Sequence, residues 1–250
     1  MKKILITGAN SYIGTSFEKW VSRYPDKYSV DTIDMEDNNW KEKSFKGYDV
    51  VFHVAGIAHI KETRKNAELY YKVNRDLAFN VAQKAKNDGI KQFVFLSSMS
   101  VYGIENGVID KNTSPNPKSN YGKSKLQAEE LVIPLEEDTF KVAILRPPII
   151  YGKGCKGNYP RLSNFAQKAP FFPNVKNKRS MIYIDNLCEF VRLLIDGYNR
   201  GLFFPQNKEY VRTSEMVKLI AEAHGKKIKM TKLFNPLLRL LKFSTVNKVF

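Results

Sequence analysis

The chain has little sulfur or imidazole chemistry to draw on: two cysteines, Cys155 and Cys188, and three histidines in 250 residues. Two cysteines are too few for a disulfide framework, and neither they nor the histidines stand at metal-ligand spacing, so no metal site is expected. An amino-terminal signal peptide is missing, as is any apolar run of about twenty residues able to span a bilayer. There are no internal repeats and no low-complexity tracts. A soluble, cytoplasmic protein is expected. Acidic residues are scarce: 25 against 41 basic ones leave a formal net charge of +16. The stretch from Gly225 to Phe250 has no acid at all, and it interleaves Lys226, Lys227, Lys229, Lys232, Arg239, Lys242 and Lys248 with leucines and phenylalanines. Such a segment is a candidate for peripheral contact with an anionic membrane. In the plainer alternative its leucines pack inward while its lysines stay in water.

What is present is an alternation. Apolar runs such as Val50 to Ala55 and Phe93 to Leu96 alternate with helical stretches such as Ala67 to Asp88 and Lys125 to Val132. Strands buried on both faces read as continuous apolar runs, so the pattern predicts an α/β protein with a parallel sheet flanked by helices. The length suffices for one large core, or for a cofactor domain with a small cap. Lys3-Ile4-Leu5-Ile6 is a short strand running into Thr7-Gly8-Ala9-Asn10-Ser11-Tyr12-Ile13-Gly14 and then a helix. A strand, glycine turn and helix in succession point backbone N–H groups and the positive helix end at a pyrophosphate. Asp34 closes the second strand, where an acid accepts from adenosine ribose hydroxyls, and Met35-Glu36-Asp37 supplies no arginine for a 2′-phosphate; both favour NAD. Further on, Tyr121-Gly-Lys-Ser-Lys125 puts a phenol and an ammonium on one helix face. An adjacent positive charge favours the phenolate, so Tyr121 is a candidate base for a substrate alcohol.

Together these motifs resemble the extended short-chain dehydrogenase/reductases of the nucleotide-sugar epimerase and dehydratase family. Gly8 to Gly14 is similar to that family's glycine turn, Asp49 to Ala55 to its third strand, and Val73-Asn74 to a helix carrying a structural asparagine. Ser97 to Gly103 resembles the strand with the catalytic hydroxyl, Tyr121 to Lys125 the active-site pair, and Leu145-Arg146-Pro147-Pro148 to Gly152 and Arg179 to Leu187 the start and phosphate-contacting part of the sugar-binding region. In order and spacing this covers most of residues 1–225. The resemblance implies a Rossmann-type doubly wound sheet over residues 1–146. Residues 147–250 would be mainly a substrate-binding region, interleaved with the core. Family members run longer, so that region is expected to be shortened at its carboxyl end.

The resemblance also implies the site. Ser98 would hydrogen-bond the reacting oxygen and share its proton with Tyr121, Ser97 and Ser100 being structural, and Lys125 would bond the nicotinamide ribose as well. NAD would be held by Gly8, Asn10, Ser11, Tyr12, Ile13 and Gly14 of the turn, and by Asp34, Val54, Ala55, Lys125 and Pro147. The nucleotide sugar would meet Ser98, Tyr121, Asn158 and Arg179, arginine suiting a diphosphate through its planar fork. One departure stands out: Ser11 occupies the family's middle glycine position, so its Cβ crowds the backbone's approach to the pyrophosphate unless the turn adjusts and the hydroxyl donates to a phosphate.

Dehydratases of this family carry an acid pair directly after the catalytic hydroxyl; here Met99 and Ser100 take those places and neither is an acid or a base. Two activities stay open, a 4-epimerase of the UDP-hexose type and a reductase of 4-keto-hexulose nucleotide sugars serving surface polysaccharides. Uridine is adopted as the family's commonest base. A homodimer through the helices of Ala67 to Asp88 and of Tyr121 is a further implication. A reading of another class is a non-catalytic dinucleotide- or RNA-binding protein; retention of Ser98, Tyr121 and Lys125 speaks against it, and no aromatic-basic single-strand motif supports it.

Overall fold

A computed structural model describes residues 1–58, 60–110 and 112–233. His59, Lys111 and residues 234–250 lie outside the description, and with them most of the basic segment considered for membrane contact. The strands are β1 (Lys2–Thr7), β2 (Tyr28–Ile33), β3 (Val50–His53), β4 (Gln92–Leu96), β5 (Lys141–Leu145), β6 (Ile149–Tyr151), β7 (Phe171–Pro173), β8 (Met181–Tyr183), β9 (Gly201–Phe203) and β10 (Lys229–Thr231). The helices are α1 (Tyr12–Val21), α2 (Ala67–Tyr70), α3 (Leu77–Asn87), α4 (Asn120–Val132), α5 (Asn158–Lys168), α6 (Ile184–Asp196) and α7 (Thr213–Ala223).

The chain divides into two compact units. Met1–Pro148 with Tyr183–Pro205 form the first, and Ile149–Ile182 with residues 206–233 form the second. The first unit is built on a six-stranded sheet in the order β2-β1-β3-β4-β5-β9. Each neighbouring pair runs parallel. Every residue of β3 and β4 is buried, as are the last four of β1 and of β5. The apolar runs thus mark strands covered on both faces. The chain leaves β1 for β2 on one side and returns to β3 on the other, so strand order reverses at β1 and β3, the place where such sheets open a ligand crevice beyond their carboxyl ends.

The helical stretch from Ala67 is not one regular helix. Tyr71–Asp76, between α2 and α3, widens into a π-helical segment, and it contains the buried Asn74. Asn74 Nδ2 donates to Ile57 O (3.1 Å) and its Oδ1 accepts from Ile57 N (2.9 Å), so a loop seventeen residues earlier is tied to this wide turn. Local widening of this kind recurs where a helix must aim a side chain.

His53 ends β3 inside the core, fully buried. Its Nδ1 shares a 2.6 Å hydrogen bond with Thr7 Oγ1, and its ring stacks near Phe93 and Phe95 at centroid distances of 5.8 and 5.9 Å. Burial, reinforced by the charge of Lys125, pushes its pKa from 6.5 down to about 3. Folded His53 therefore stays neutral through a window in which the unfolded chain takes up a proton. Stability is lost as pH falls from 6.5 toward 3, on the order of 3 kcal/mol between pH 7 and pH 4. Urea unfolding of His53→Asn, which has nothing to titrate there, should show that much less loss over the same interval.

The second unit holds two small ladders, β6 with β8 and β7 with β10. Leu162, Ala166, Phe172, Val217, Ile220, Ala221 and Ile228, from α5, β7, α7 and the approach to β10, form its core. Among the described residues no helix is long and apolar enough to cross a membrane. No group of three His, Cys, Asp or Glu among them is placed to hold a metal ion.

Candidate active site

The turn after β1 is shaped by close approach. Gly8 has φ +109°, a conformation that disfavours side chains, and a Cβ there would lie 2.8 Å from the backbone nitrogen of Ala55. The crowding arises because Val54 N and Ala55 N both donate to Thr7 O (3.1 and 2.9 Å), drawing the end of β3 against the turn. Asn10 is left-handed at φ 62°. Ser11 is not: at φ −69° its backbone suits any residue, and its Oγ accepts from Gly14 N at 3.1 Å, capping α1. The serine thus replaces a glycine without backbone strain, and its hydroxyl proton remains available to donate. Tyr12 and Ile13 begin α1, whose first-turn N–H groups supply the positive helix end. Asp34 follows β2, exposed, with Oδ1 accepting from Glu36 N at 2.9 Å. N–H donors, a free hydroxyl proton and a solvent-facing carboxylate form the donor and acceptor set that a dinucleotide's phosphates and ribose require. Pro147, just past β5, accepts from Met99 N through its carbonyl (3.1 Å) and so fixes the chain beside Ser98.

Helix α4 carries the candidate reacting groups Tyr121 and Lys125. Ser119 caps it by accepting from Gly122 N at 3.1 Å, and Glu62, from the loop after β3, accepts from Asn120 N (3.1 Å) and Tyr121 N (3.0 Å). A carboxylate at this end also meets the helix dipole favourably. Tyr121 is half-buried, and the Ser98 hydroxyl beside it donates to Ser100 Oγ at 3.1 Å. Burial raises the phenol pKa, the neighbouring Ser98 hydroxyl lowers it, and Tyr70 raises it, with a net rise. Lys125 is buried, and its Nζ donates to Leu96 O at 2.8 Å and lies 4.7 Å from the Phe95 ring centroid. Burial pulls its pKa down to about 8, against an upward pull from Glu129. The helical spacing suggests an ammonium resting against the phenol; instead the ammonium is bonded to the end of β4. As arranged, Tyr121 is protonated at neutral pH and suited to give a proton. To take one it must be lowered by a charge that here sits on Leu96.

Ser97 and Ser100 brace Ser98 from either side. Ser97 Oγ donates to Glu129, while Ser100 N donates to Ser98 Oγ at 3.1 Å. Three contributors went unread in the sequence. Gly56 is needed because a Cβ would sit 2.9 Å from Asn74 Oδ1 and 3.3 Å from Lys125 Nζ. Glu62 carries no motif that marks it. Glu129 had a signal: it continues the spacing of Tyr121 and Lys125 by one more turn.

In the second unit, Asn158 and Arg179 line one small pocket together with Ile149, Tyr159, Met181 and Thr213. Arg179 is paired by its backbone to Val211 (2.8 and 3.0 Å) and is half-buried, its pKa lowered by that burial.

The description "NAD dependent epimerase/dehydratase family" matches residues 4–203. The chain belongs to that family. A UDP-glucose 4-epimerase of Vibrio cholerae is 33% identical over 252 residues, covering 90% of this chain and 76% of the relative. An N-acetyl-alpha-D-glucosaminyl-diphospho-ditrans,octacis-undecaprenol 4-epimerase of Escherichia coli O157:H7 is 28% identical, covering 94% and 76%. Among solved structures, a dTDP-4-dehydrorhamnose reductase of Clostridium acetobutylicum superposes with a TM-score of 0.76 at 25% identity, covering 92% of this chain and 82% of that one. This member of the NAD dependent epimerase/dehydratase family is an NAD-dependent enzyme with a Rossmann-type fold, an extended short-chain dehydrogenase/reductase.

Proposed function

We propose that the protein interconverts nucleotide sugars at C4, as a UDP-hexose 4-epimerase. The observation that carries this reading is the Ser98 hydroxyl set beside the Tyr121 phenol, with Lys125 one helical turn further on. A hydroxyl and a phenol converging in this way can hold one secondary alcohol oxygen and move its proton. The likeness to the Vibrio cholerae UDP-glucose 4-epimerase over nine-tenths of the chain supports the substrate class. NAD, when bound, supplies the hydride acceptor and returns the hydride. Tyr121 takes the hydroxyl proton as the carbinol is oxidised and gives it back to the ketone oxygen on reduction, with Ser98 holding that oxygen throughout. Lys125 supplies the charge that favours the phenolate. Asn158 and Arg179 are assigned to the sugar diphosphate, for which a guanidinium offers two parallel donors.

The cycle is redox-neutral, so a catalytic trace of NAD suffices. Proton NMR of UDP-glucose and UDP-N-acetylglucosamine with purified protein and trace NAD should show the galacto epimer accumulate. The N-acetyl sugar is included because the Escherichia coli relative acts on an N-acetylglucosaminyl group. A second reading, reduction of a 4-keto sugar, is favoured by the protonated state of Tyr121 and by the likeness to a dTDP-4-dehydrorhamnose reductase. It predicts no epimer from either sugar, and instead stoichiometric consumption of reduced cofactor once a 4-keto sugar is supplied. Absence of both reactions would remove the C4 reading.

A further inference from the structure

Tyr121, Lys125 and Glu129 follow one another at i, i+4 and i+8 along α4, and the three meet three consecutive residues at the end of β4. Tyr121 lies beside Ser98, Lys125 donates to Leu96 O, and Glu129 accepts from Ser97. Glu129 is 1% exposed, and it is held from the far side by Arg146, just past β5. Nη2 of that arginine reaches Oε2 at 2.5 Å, Nε lies 3.0 and 3.1 Å from the two carboxylate oxygens, and Nη1 donates to Tyr102 Oη at 2.6 Å. A carboxylate ion-paired with a guanidinium one turn from a buried lysine acts on that lysine through a low-dielectric medium.

We propose that Glu129 is a positioning residue for the Tyr121–Lys125 pair: its carboxylate keeps the Lys125 ammonium charged and fixes the register in which α4 sets Tyr121 against Ser98. The inference rests on the assignment of Lys125 made above. The titratable and charged groups around the ammonium are Glu129 and Tyr121 on its own helix, His53 on β3, and Arg146 beyond β5, which reaches it through Glu129. His53 is neutral in the core. Burial alone drives a lysine toward its uncharged form, and among the described residues Glu129 raises Lys125 against burial. Removing that charge while leaving the shape should therefore let Lys125 fall further, so that at neutral pH much of it is an amine that cannot favour a phenolate.

The test reads Lys125 itself, by carbon NMR of lysine labelled at Cε in the purified full chain without added nucleotide, with Lys125→Arg to assign the signal. The wild-type midpoint is expected near 8. In Glu129→Gln it should fall by about one unit or more, whereas Ser97→Ala, which removes a bond but not the charge, should leave it within about 0.3 unit. A purely structural Glu129 would lower the unfolding midpoint and leave the Lys125 titration in place. An unmoved titration in folded Glu129→Gln overturns the proposal. Should that variant fail to fold, Glu129→Asp retains the charge farther away, and a midpoint equal to wild type there overturns it equally. Turnover is read separately: the alkaline limb of its pH profile should move down with the Lys125 midpoint. A moved midpoint in a protein that epimerises nothing would leave the charge relation between Glu129 and Lys125 standing and remove the epimerase reading.

Discussion

Replacing Tyr121 with phenylalanine is expected to lower C4 turnover by about a hundred- to ten-thousand-fold, the usual contribution of a positioned proton-transfer group. The ring volume is kept, and the bonds that hold the start of α4, from Ser119 and Glu62, go to backbone N–H groups that the substitution does not touch. Ser98 keeps both of its bonds to Ser100, from the amide and to the hydroxyl. The loss should therefore fall on kcat, with the affinity for NADH, measured by fluorescence titration, unchanged within about twofold, since no uniform binding interaction is removed. A variant within tenfold of wild type would take Tyr121 out of the proton transfer. The same site has a signed pH dependence. Burial raises the phenol and the neighbouring Ser98 hydroxyl lowers it, so Ser98→Ala should move the acidic limb of the profile to higher pH, in the direction opposite to any aid from Lys125.

The largest stability effect is expected at Arg146. Arg146→Met leaves Glu129 buried with one hydroxyl donor, Ser97, in place of a bidentate guanidinium. Breaking a buried pair from one side typically costs about 3–5 kcal/mol, because a charge remains without its partner in a low-dielectric setting. Urea unfolding at pH 7 is the measurement. The cost should shrink as pH is lowered: a carboxylate stranded in the core has its pKa raised above the unfolded value, so the variant's folded state takes up a proton that relieves it. Arg146→Met combined with Glu129→Leu should recover most of the stability, since an apolar replacement of both partners removes the stranded charge. A loss under about 1 kcal/mol for the single change would mean that the pair is in effect solvated, as exposed pairs are.

The sheet was legible because its signals are local. Strands buried on both faces carry continuous apolar runs, and Val50 to Ala55 and Phe93 to Leu96 contain most of the side chains that fill β3 and β4 and their ends. The glycine turn was legible for a similar reason, since a strand running directly into a helix leaves few conformations for residues 8 to 14. Ser11 shows the limit of such reading. A serine in place of a glycine reads as crowding, and only the geometry of α1 reveals a cap on Gly14 that accepts the side chain at ordinary φ.

What could be determined from the sequence by itself was the family, the order of strands and helices, and the identity of Ser98, Tyr121 and Lys125 as a candidate set, because helical spacing and motif order are properties of neighbouring residues. What only the tertiary structure decided was where those side chains discharge their polarity. Lys125 is committed to a carbonyl twenty-nine residues away, Glu129 to an arginine beyond β5, and Tyr121 to a buried setting that raises its pKa where spacing alone predicted a lowered one. Charge state in a core is set by desolvation and by partners brought together from distant parts of the chain, and neither is written in the interval between two residues.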